Sequence, residues 1–389
     1  MDVTIEDLRR RARRRLPRAV FDFIDGAAED EVSLGWNAAA FDRWAFVPRV
    51  LVDVSEVDLA TEILGERLAT PLILAPTGLC GMAAPRGEIA VARAAARLGV
   101  PFVASCLSAV TLEDIAREAP GAHWFQLYLW KDRGLTRSLA ERAARAGYRV
   151  LVVTVDVPVL GQRERDLRNG ATVPPKITLA NAWDTLRRPA WMMGMLRNPR
   201  IEFANVATPG ASAGRPFALS QYINTQFDAS VTWKDLEWLR SAWSGPIILK
   251  GILSADDARR AHESGFEGIV VSNHGGRQLD QACASLDALP EIAAAVATRM
   301  TVLFDGGIRR GADVAIAIAL GARGCMVGRP YLYGLAAAGQ VGVERSLEIL
   351  LAETKRTLAL VGRPRLADLN RTALRRANYL SGGNDERTT

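Results

Sequence analysis

Short, uninterrupted apolar runs recur along the chain, and this recurrence limits its fold more than any other feature. Such a run is typical of a strand buried on both faces, as in a parallel sheet. The segments between the runs have the apolar spacing of amphipathic helices. The predicted strands are 71–76, 101–105, 123–129, 149–156, 246–251, 268–273, 301–307 and 325–330, and the clearest predicted helices are 86–98, 134–147, 255–264, 285–298 and 311–320.

Eight strand–helix units in series predict a (β/α)8 TIM barrel of the α/β class. A doubly wound sheet usually has fewer repeats and a glycine-rich turn after its first strand, and this chain has neither feature. A long insertion, at about residues 160–230, follows the fourth predicted strand and would emerge at the catalytic face of a barrel. Within a single domain over 1–389, we expect the first 60 residues to form a helical cap. We also expect 204–216 to be a flexible surface stretch and the last ten residues to be disordered.

The charge balance and the rare residue types exclude several classes of protein. Lys and Arg number 49 against 43 Asp and Glu, a net charge of +6. This net charge favours anionic ligands or a membrane surface, but it is not the concentrated basic stripe of a nucleic-acid-binding protein.

No apolar run reaches the roughly 18–20 residues of a membrane span, and the charged start lacks the apolar core of a secretory signal. The four separated cysteines indicate reduced thiols in a cytoplasm, and three histidines argue against a metal site.

Polar residues and glycines directly follow the predicted strands, where the active site of a barrel is built. They are Thr77, Gly78, Ser105, Gln126, Tyr128, Thr154, Asp156, Lys250, Ser272, Asn273, His274, Asp305, Gly306, Gly307, Gly328 and Arg329. Any single one could be a helix cap or a satisfied core group. So many at one end of the strands indicate a functional site.

The segments DGGIRRG (305–311) and GRP (328–330) follow the seventh and eighth predicted strands, where barrels commonly bind a phosphate. Glycines expose backbone N–H groups, and Arg309 or Arg329 can donate two parallel hydrogen bonds to an anion. Each segment alone is also compatible with an ordinary tight turn. Their joint position favours phosphate binding.

The segment SNHGGRQLD follows the sixth predicted strand and contains a candidate base. Asp156 beside His274 would orient the imidazole and stabilise its protonated form. Arg277 and Arg163, the latter from the insertion, offer planar guanidinium groups that suit a carboxylate. Lys250 would be costly to bury unless it faces an anion.

With these motifs in this order, the chain resembles the FMN-dependent (S)-2-hydroxy-acid oxidases and dehydrogenases. The resemblance covers nearly the whole chain, and SNHGGRQLD is its most specific element. The other matching segments are LPRAVFDFIDGAAEDE, APTG, WFQLY, TVDVPVLGQRERD, LKGI, DGGIRRG and GRP. APTGLCG, QRERDLRNG and the insertion are most similar to the branch of mandelate and lactate dehydrogenases. The resemblance implies FMN as cofactor, an (S)-2-hydroxy acid as substrate, a 2-oxo acid as product and a homotetramer.

The resemblance also implies a role for each site residue. His274 would be the base that removes a proton from the substrate, with Asp156 as its partner. Arg277 and Arg163 would bind the substrate carboxylate, and Tyr128 would hydrogen-bond the substrate. The implied flavin contacts are Thr77, Gly78, Ser105, Gln126, Thr154, Ser272 and, beside flavin N1 and O2, Lys250. The implied ribityl and phosphate contacts are Asp305, Gly307, Arg309, Gly328 and Arg329.

Three positions near the substrate differ from glycolate oxidase. Phe23 stands where that enzyme has a second substrate-binding tyrosine, and Leu107 stands where it has a tryptophan. Both changes favour a bulkier or more apolar substrate than glycolate. Gly78 stands where glycolate oxidase has alanine and the mandelate branch has glycine, which changes the space beside the flavin.

The insertion segment 182–203 combines aromatic, aliphatic and basic residues, which suits a helix that lies in a membrane interface. These residues are Trp183, Arg187, Arg188, Trp191, Met192, Met193, Met195, Leu196, Arg197 and Arg200. The alternative is a lid helix whose apolar face covers the barrel mouth. The membrane interpretation predicts a peripheral dehydrogenase on the inner face of the cell membrane that reduces a quinone. The competing function is a soluble oxidase that passes electrons to oxygen and releases hydrogen peroxide.

Two other functions are compatible with a phosphate-binding barrel. An isomerase that binds FMN or another phosphorylated ligand would need neither a histidine after the sixth strand nor two carboxylate-binding arginines. A flavin-binding scaffold without activity would have lost a catalytic residue. This chain retains His274, Asp156, Tyr128 and both arginines.

Overall fold

A computed structural model of the protein describes residues 2–170, 179–197, 203–206 and 225–377. The predictions for the last ten residues, for 207–216 and for Arg200 lie outside these ranges.

Eight parallel strands form a closed barrel and are numbered β1 to β8 in chain order. They are β1 (Leu72–Leu74), β2 (Phe102–Ser105), β3 (His123–Leu127), β4 (Val150–Thr154), β5 (Ile247–Ile252), β6 (Gly268–Val271), β7 (Thr301–Asp305) and β8 (Gly324–Val327). Each strand pairs with the next along the chain, and β8 closes the ring by pairing with β1, where Met326 is opposite Ile73. The predicted (β/α)8 barrel is confirmed. Each strand lies inside its predicted run or extends at most one residue beyond it.

The strands read as continuous apolar runs because both of their faces are buried. One face points into the barrel and forms an interior cluster. Its strand residues are Ile73, Ala75, Val103, Trp124, Val150, Val152, Ile248, Val270, Leu303 and Met326. The alternate residues, such as Leu72 and Leu74, belong to a larger cluster between the strands and the surrounding helices. Each fully buried side chain of this kind contributes about 1.5–3 kcal/mol of hydrophobic free energy.

Helices surround the barrel and follow its strands. They are Gly87–Arg97, Leu112–Glu118, Arg133–Arg145, Leu239–Ala242, Ala255–Glu263, Ser285–Val296, Gly311–Ala319 and Arg329–Val361, the last broken at Ala338 and Gly339. Side-chain caps fix several of their starts. Thr111 Oγ1 accepts a hydrogen bond from the Asp114 N–H (3.2 Å), and Ser254 Oγ accepts one from the Asp257 N–H (3.1 Å). The five predicted helices are confirmed to within two residues at each end.

Three helices precede the barrel: Ile5–Arg15, Arg18–Asp25 and Val32–Asp42. The third reaches the carboxyl ends of the strands, where Asn37 Nδ2 donates a hydrogen bond to Asn273 Oδ1 (2.8 Å). The predicted helical cap is confirmed for these residues.

The helical cap nevertheless ends earlier than predicted. After Asp42, the segment Trp44–Phe46 pairs antiparallel with Leu374–Arg376. The Trp44 ring is buried, and the guanidinium carbons of Arg371 and Arg376 each lie 4.3 Å from its centroid. The pairing of Trp44–Phe46 with a segment more than 300 residues away therefore determines the structure here. No local sequence pattern could indicate this pairing.

A hairpin that the sequence analysis did not predict closes the amino end of the barrel. Its strands Thr61–Ile63 and Glu66–Leu68 pair antiparallel, and Ile63 is buried against the interior cluster. Arg149, just before β4, donates a hydrogen bond to Glu66 Oε1 (2.8 Å). The carboxyl end of the barrel is therefore left for a site.

The described part of the insertion lies beside the barrel mouth. It forms the helices Glu164–Arg168, Leu179–Leu186 and Pro189–Arg197. Trp191 Nε1 donates a hydrogen bond to the Met82 carbonyl (2.9 Å), which attaches the last of these helices to the loop after β1. Among the described residues, no helix is both long enough and apolar enough to cross a membrane.

Candidate active site

A cavity of about 1260 Å³ opens at the carboxyl ends of the barrel strands. The predicted site residues that line it are Phe23, Thr77, Gly78, Ser105, Leu107, Gln126, Tyr128, Thr154, Arg163, Lys250, His274, Arg277, Asp305, Gly307, Arg309, Gly328 and Arg329. Asp156 and Ser272 do not line the cavity but lie directly behind residues that do. The structure therefore brings all the predicted site residues to one end of the barrel.

His274 and Asp156 form a hydrogen-bonded pair. His274 Nδ1 lies 3.0 and 3.1 Å from the two carboxylate oxygens of Asp156. The His274 backbone is in the left-handed region (φ 59°), and its N–H donates to Ser272 Oγ (3.0 Å). Burial opposes ionisation of Asp156, but the charge and hydrogen bond of His274, together with Lys250, hold the pKa of Asp156 below its usual value. An ionised carboxylate thus orients the imidazole.

Lys250 is buried, with 4% of its surface exposed, and forms an ion pair with Asp305. Its Nζ lies 2.8 Å from Asp305 Oδ2 and donates a hydrogen bond to Ser272 Oγ (2.9 Å). Burial disfavours the ammonium, but the charges of Asp305 and Asp156 hold the pKa of Lys250 above its usual value. The Ser272 hydroxyl lies behind the cavity lining and accepts hydrogen bonds from Lys250 and from the His274 backbone; its flavin contact stays a prediction.

Two arginines supply positive charge to the cavity. Arg277 Nη1 donates to the carbonyls of Phe23 (2.9 Å) and Gly26 (2.7 Å), and its guanidinium lies 5.4 Å from the Phe23 ring centroid. Burial and then the charges of Arg163 and Arg329 hold the pKa of Arg277 well below its usual value. Arg163 Nε is buried without a hydrogen-bond partner among the described residues. The unpaired Nε of Arg163 and the two adjacent positive charges, which Asp166 offsets only in part, suit an anion in the cavity.

Tyr128 lies in an aromatic cluster at the side of the cavity. Its ring packs edge-on against Trp130 (centroids 5.5 Å apart) and Phe227 (5.2 Å). Burial, followed by the nearby Cys106 and Asp156, raises the pKa of Tyr128 above its usual value. The phenol therefore stays protonated and can donate a hydrogen bond into the cavity.

A chain of hydrogen bonds joins the ends of three neighbouring strands. Ser105 Oγ donates to Gln126 Oε1 (3.0 Å), and Gln126 Nε2 donates to Thr154 Oγ1 (3.0 Å). At the end of β1, the Thr77 hydroxyl is within hydrogen-bond distance of the Tyr331 hydroxyl and of Cys80 Sγ. These hydroxyl and amide groups form a polar wall that suits the edge of a heterocyclic ring.

The loops after β7 and β8 form a second positively charged region. Gly307 has a left-handed backbone (φ 87°) and lies so close to the cap that a Cβ atom there would be 2.2 Å from the Asn37 carbonyl oxygen. Arg329 donates to the carbonyls of Gly275 (3.0 Å) and Gly26 (2.8 Å), while its Nε is buried without a partner among the described residues. Burial and the nearby Arg309 lower the pKa of Arg329 to about 10. This region suits a phosphate.

Several residues of the site were not singled out from the sequence. Asp166 lines the cavity near both arginines, and burial raises its pKa although Arg277 and Arg163 oppose the shift. The Tyr331 hydroxyl is within hydrogen-bond distance of the Thr77 hydroxyl. Asp25 accepts a hydrogen bond from Arg165, which is two residues from Arg163. Asp166 belongs to the QRERD motif and Asp25 to the matching segment LPRAVFDFIDGAAEDE, so both could have been found from these segments, whereas Tyr331 carries no such signal.

Two positively charged regions and a His–Asp pair in one cavity suit the class of barrel enzymes that act on a small carboxylate beside a phosphorylated cofactor. The FMN-dependent dehydrogenase family profile matches residues 12–376. The chain belongs to this family, and FMN is its cofactor.

Named relatives agree with this assignment. The chain is 47% identical over 367 residues to the L-lactate oxidase of a Nostoc species, with 93% of this chain and 95% of the relative covered. It is 44% identical over 375 residues to the L-lactate dehydrogenase of Caulobacter vibrioides, with 95% and 96% covered. The crystal structure of the monotopic membrane protein (S)-mandelate dehydrogenase superposes with a TM-score of 0.93 at 40% identity, covering 97% of this chain and 100% of that chain. The prediction of an FMN-dependent enzyme that oxidises (S)-2-hydroxy acids is confirmed.

The chemistry of the cavity lining fits FMN. Asp305 Oδ1 and Arg329 Nε are both buried and lack partners among the described residues, so each can bond to a bound group. The polar wall suits the ring, and the region around Arg329 suits the phosphate.

Proposed function

We propose that the enzyme converts an (S)-2-hydroxy acid with an apolar side chain larger than that of glycolate into the 2-oxo acid. The substrate loses two electrons and two protons, one from its hydroxyl and one with the Cα–H bond. The observation that carries this proposal is the pair of poorly compensated guanidinium groups, Arg277 and Arg163, in the same cavity as the His274–Asp156 pair.

In this proposal, each group acts on a defined part of the substrate. Arg277 and Arg163 bind the carboxylate and orient the Cα carbon. Tyr128 donates a hydrogen bond to the substrate. His274 receives a proton at Nε2, because Nδ1 is held by Asp156, and the ionised Asp156 stabilises the resulting imidazolium.

Bound FMN supplies the acceptor for the two electrons that leave the substrate. The residues that would contact its ring are Thr77, Gly78, Ser105, Gln126, Thr154 and Ser272, and Lys250 would place a positive charge beside N1 and O2. The residues that would hold the ribityl chain and phosphate are Asp305, Gly307, Arg309, Gly328 and Arg329.

The substrate preference rests on two apolar residues of the cavity, Phe23 and Leu107. Phe23 offers no hydroxyl to a carboxylate, and its ring is covered by the Arg277 guanidinium. Leu107 is smaller than an aromatic side chain and leaves room for a branched or aromatic group. Mandelate-like or lactate-like acids are therefore the preferred substrate class.

For the second half of the reaction, we propose a quinone-type acceptor and a peripheral position on the inner face of the cell membrane. The helices Leu179–Leu186 and Pro189–Arg197 expose Trp183 (58%), Met193 (52%) and Leu196 (71%). Arg187 lies over the Trp183 ring (4.9 Å), where it could also meet an anionic head group. The solved mandelate dehydrogenase, named as a monotopic membrane protein, supports this proposal.

A homotetramer is proposed from the family resemblance.

The same insertion also supports the lid interpretation, because Ala182, Thr185 and Leu186 line the cavity. The two roles are compatible, since one side of a helix can cover the cavity while the other meets a membrane. A second candidate, a soluble oxidase that reduces oxygen to hydrogen peroxide, is favoured by the similarity to the Nostoc enzyme named as an oxidase.

The visible spectrum of the purified holoenzyme tests the proposed function. Without air, (S)-mandelate or (S)-lactate should bleach the flavin absorbance, whereas the (R)-enantiomers should not. Quinone-analogue reduction and peroxide release then distinguish the two acceptors. A flavin that no 2-hydroxy acid reduces would refute the proposal.

A further inference from the structure

Asp25 accepts four hydrogen bonds, although it neither lines the cavity nor takes part in the proposed chemistry. Its Oδ1 accepts from Arg9 Nε (2.6 Å) and the Tyr333 hydroxyl (2.7 Å), and its Oδ2 accepts from Arg9 Nη2 (2.9 Å) and Arg165 Nη1 (3.1 Å). The residue is only 5% exposed. A buried carboxylate with this many charged partners fixes the position of every group that contacts it.

The partners of Asp25 come from separate parts of the chain. Arg9 lies in the first helix, and Asp25 ends the second. Arg165 follows Arg163 by two residues, so it anchors the segment that carries one of the two substrate arginines. Tyr333 lies one helical turn after Arg329, on the helix that follows β8. A single carboxylate thus joins the supports of Arg163 and Arg329.

The next residue along the chain, Gly26, contacts the second substrate arginine. Its carbonyl accepts hydrogen bonds from Arg277 Nη1 (2.7 Å) and from Arg329 Nη2 (2.8 Å). One carbonyl oxygen therefore holds both guanidinium groups. Because Gly26 is bonded directly to Asp25, the anchored Asp25 side chain also restrains the backbone that carries this oxygen.

We propose that Asp25 is a positioning residue for the substrate carboxylate site, acting on Arg277 through the Gly26 carbonyl and on Arg163 through Arg165. This inference rests on the proposed role of the two arginines. Asp25 itself touches neither the substrate nor the cofactor. It sets where the guanidinium groups stand, and it makes no direct contact with His274 or Asp156.

The variant Asp25→Asn tests this proposal because it keeps the shape of the side chain. It removes the charge and replaces one acceptor oxygen with an NH₂ group that faces donors. Small displacements of binding groups cost up to about 100-fold. We expect KM for (S)-mandelate to rise roughly 10- to 100-fold while kcat changes less than about threefold, the pattern of lost binding that is equal in ground and transition states.

A second readout does not depend on turnover. Phenylacetate carries the carboxylate but no hydroxyl, and its binding to the oxidised holoenzyme can be followed by the flavin spectrum. Its Kd should rise in parallel with KM, whereas inhibition by benzyl alcohol, which lacks the carboxylate, should not change. Glu344→Gln is the matched control. Glu344 is a buried carboxylate paired with Arg97 (2.8 Å) outside the cavity lining, and its loss should leave both constants unchanged.

The outcomes separate this proposal from a purely structural role. A structural role would lower the melting temperature or the FMN content of Asp25→Asn without changing KM or the Kd for phenylacetate, and that result would overturn the proposal. If Asp25→Asn does not fold, Tyr333→Phe removes only one of the four hydrogen bonds. It should raise both constants in the same direction by a smaller factor, and unchanged constants in that variant would also overturn the proposal. If no hydroxy acid reduces the wild-type flavin, the proposed function fails, and the Kd for phenylacetate alone decides the role of Asp25.

Discussion

Gly78 lies directly against Leu107. A Cβ atom at Gly78 would be 3.2 Å from Leu107 Cβ and 3.3 Å from the Leu107 carbonyl oxygen, closer than ordinary van der Waals contact. The Leu79 N–H also donates to that carbonyl (3.1 Å), so the loops after β1 and β2 are already joined at this point. The space beside the proposed flavin ring is therefore set jointly by the absence of a side chain at Gly78 and by Leu107.

Gly78→Ala should destabilise the holoenzyme by about 1–3 kcal/mol, the usual cost of overpacking. Leu107→Gly should relieve part of this cost, because it removes the Cβ atom that the new methyl group would meet. A double-mutant cycle on urea midpoints should give a coupling energy of at least about 0.5 kcal/mol. Reoxidation of the reduced flavin by oxygen and by a quinone analogue, measured in the same variants, shows whether this contact also affects the choice of acceptor. Additive effects of the two substitutions would mean that they do not share this space.

His274→Asn should retain FMN yet lose flavin reduction by roughly 10²- to 10⁴-fold, the usual contribution of a positioned acid–base group. Anaerobic stopped-flow reduction by (S)-mandelate measures this step without reoxidation. His262→Asn, on the outer helix Ala255–Glu263, provides the control and should reduce at the wild-type rate. Near-normal reduction in the His274 variant would remove this residue from the mechanism.

The acid stability of the protein should depend on Asp25. Burial alone would raise the pKa of this carboxyl, but the hydrogen bonds from Arg9 and Tyr333 and the charges of Arg9 and Arg165 lower it to about 2. A lowered pKa in the folded state stabilises the protein above the unfolded-state pKa near 3.8, and the stabilisation is lost as the pH falls toward 2. At neutral pH this stabilisation of the folded state amounts to about 2 kcal/mol. The difference in unfolding free energy between wild type and Asp25→Asn should therefore shrink between pH 5 and pH 2, and a constant difference would contradict this assignment.

Substrate size should follow from Phe23 and Leu107. A hydrophobic pocket discriminates by about 1–3 kcal/mol per methylene-sized difference, so activity on neighbouring acids will overlap. We expect kcat/KM to be higher for (S)-mandelate and branched hydroxy acids than for glycolate. Leu107→Trp should narrow the pocket and reduce this preference. A wild-type preference for glycolate would contradict the prediction.

Membrane association should depend on the exposed apolar residues of the insertion. Replacing Trp183, Met193 and Leu196 together with serine should weaken binding to anionic liposomes at least about tenfold, since each buried apolar side chain contributes more than 1 kcal/mol. Leu51→Ser, an exposed leucine outside the insertion, is the control. Sedimentation with liposomes measures the binding. Equal binding by the triple variant would mean that these residues do not mediate membrane association, and no binding by the wild type would favour the soluble oxidase.

The barrel could be predicted because its signals are local. Runs such as 149–156 are apolar on both faces, and helix starts such as Ser254 carry their own caps. The residues that end the strands could be identified for the same reason, since the end of a strand fixes the position of the next side chain.

The groups behind the lining could not be predicted, because they depend on contacts between distant segments. Asp25 meets Tyr333 across about three hundred residues of sequence, and Tyr331 reaches back to Thr77. Ser272 follows β6 just as the lining residues follow their strands, yet its hydroxyl is taken by Lys250 and His274. The sequence indicates which strand end carries a residue. It does not indicate whether that residue lines the cavity or supports the lining from behind.

The packing of the first helix on the last has a consequence for biosynthesis. Arg15 donates to the Ala337 carbonyl (3.2 Å), and Arg345 donates to the Asp2 carbonyl (2.9 Å), so Ile5 and Leu8 are buried only when the final helix is present. At 5–20 residues per second, a ribosome needs roughly 20 to 60 seconds to make the intervening chain. Throughout that interval the emerging amino terminus carries an apolar face without its partner. The cofactor cavity is therefore completed only after the helix Arg329–Val361 has been synthesised, and Ile5 and Leu8 stay exposed until then.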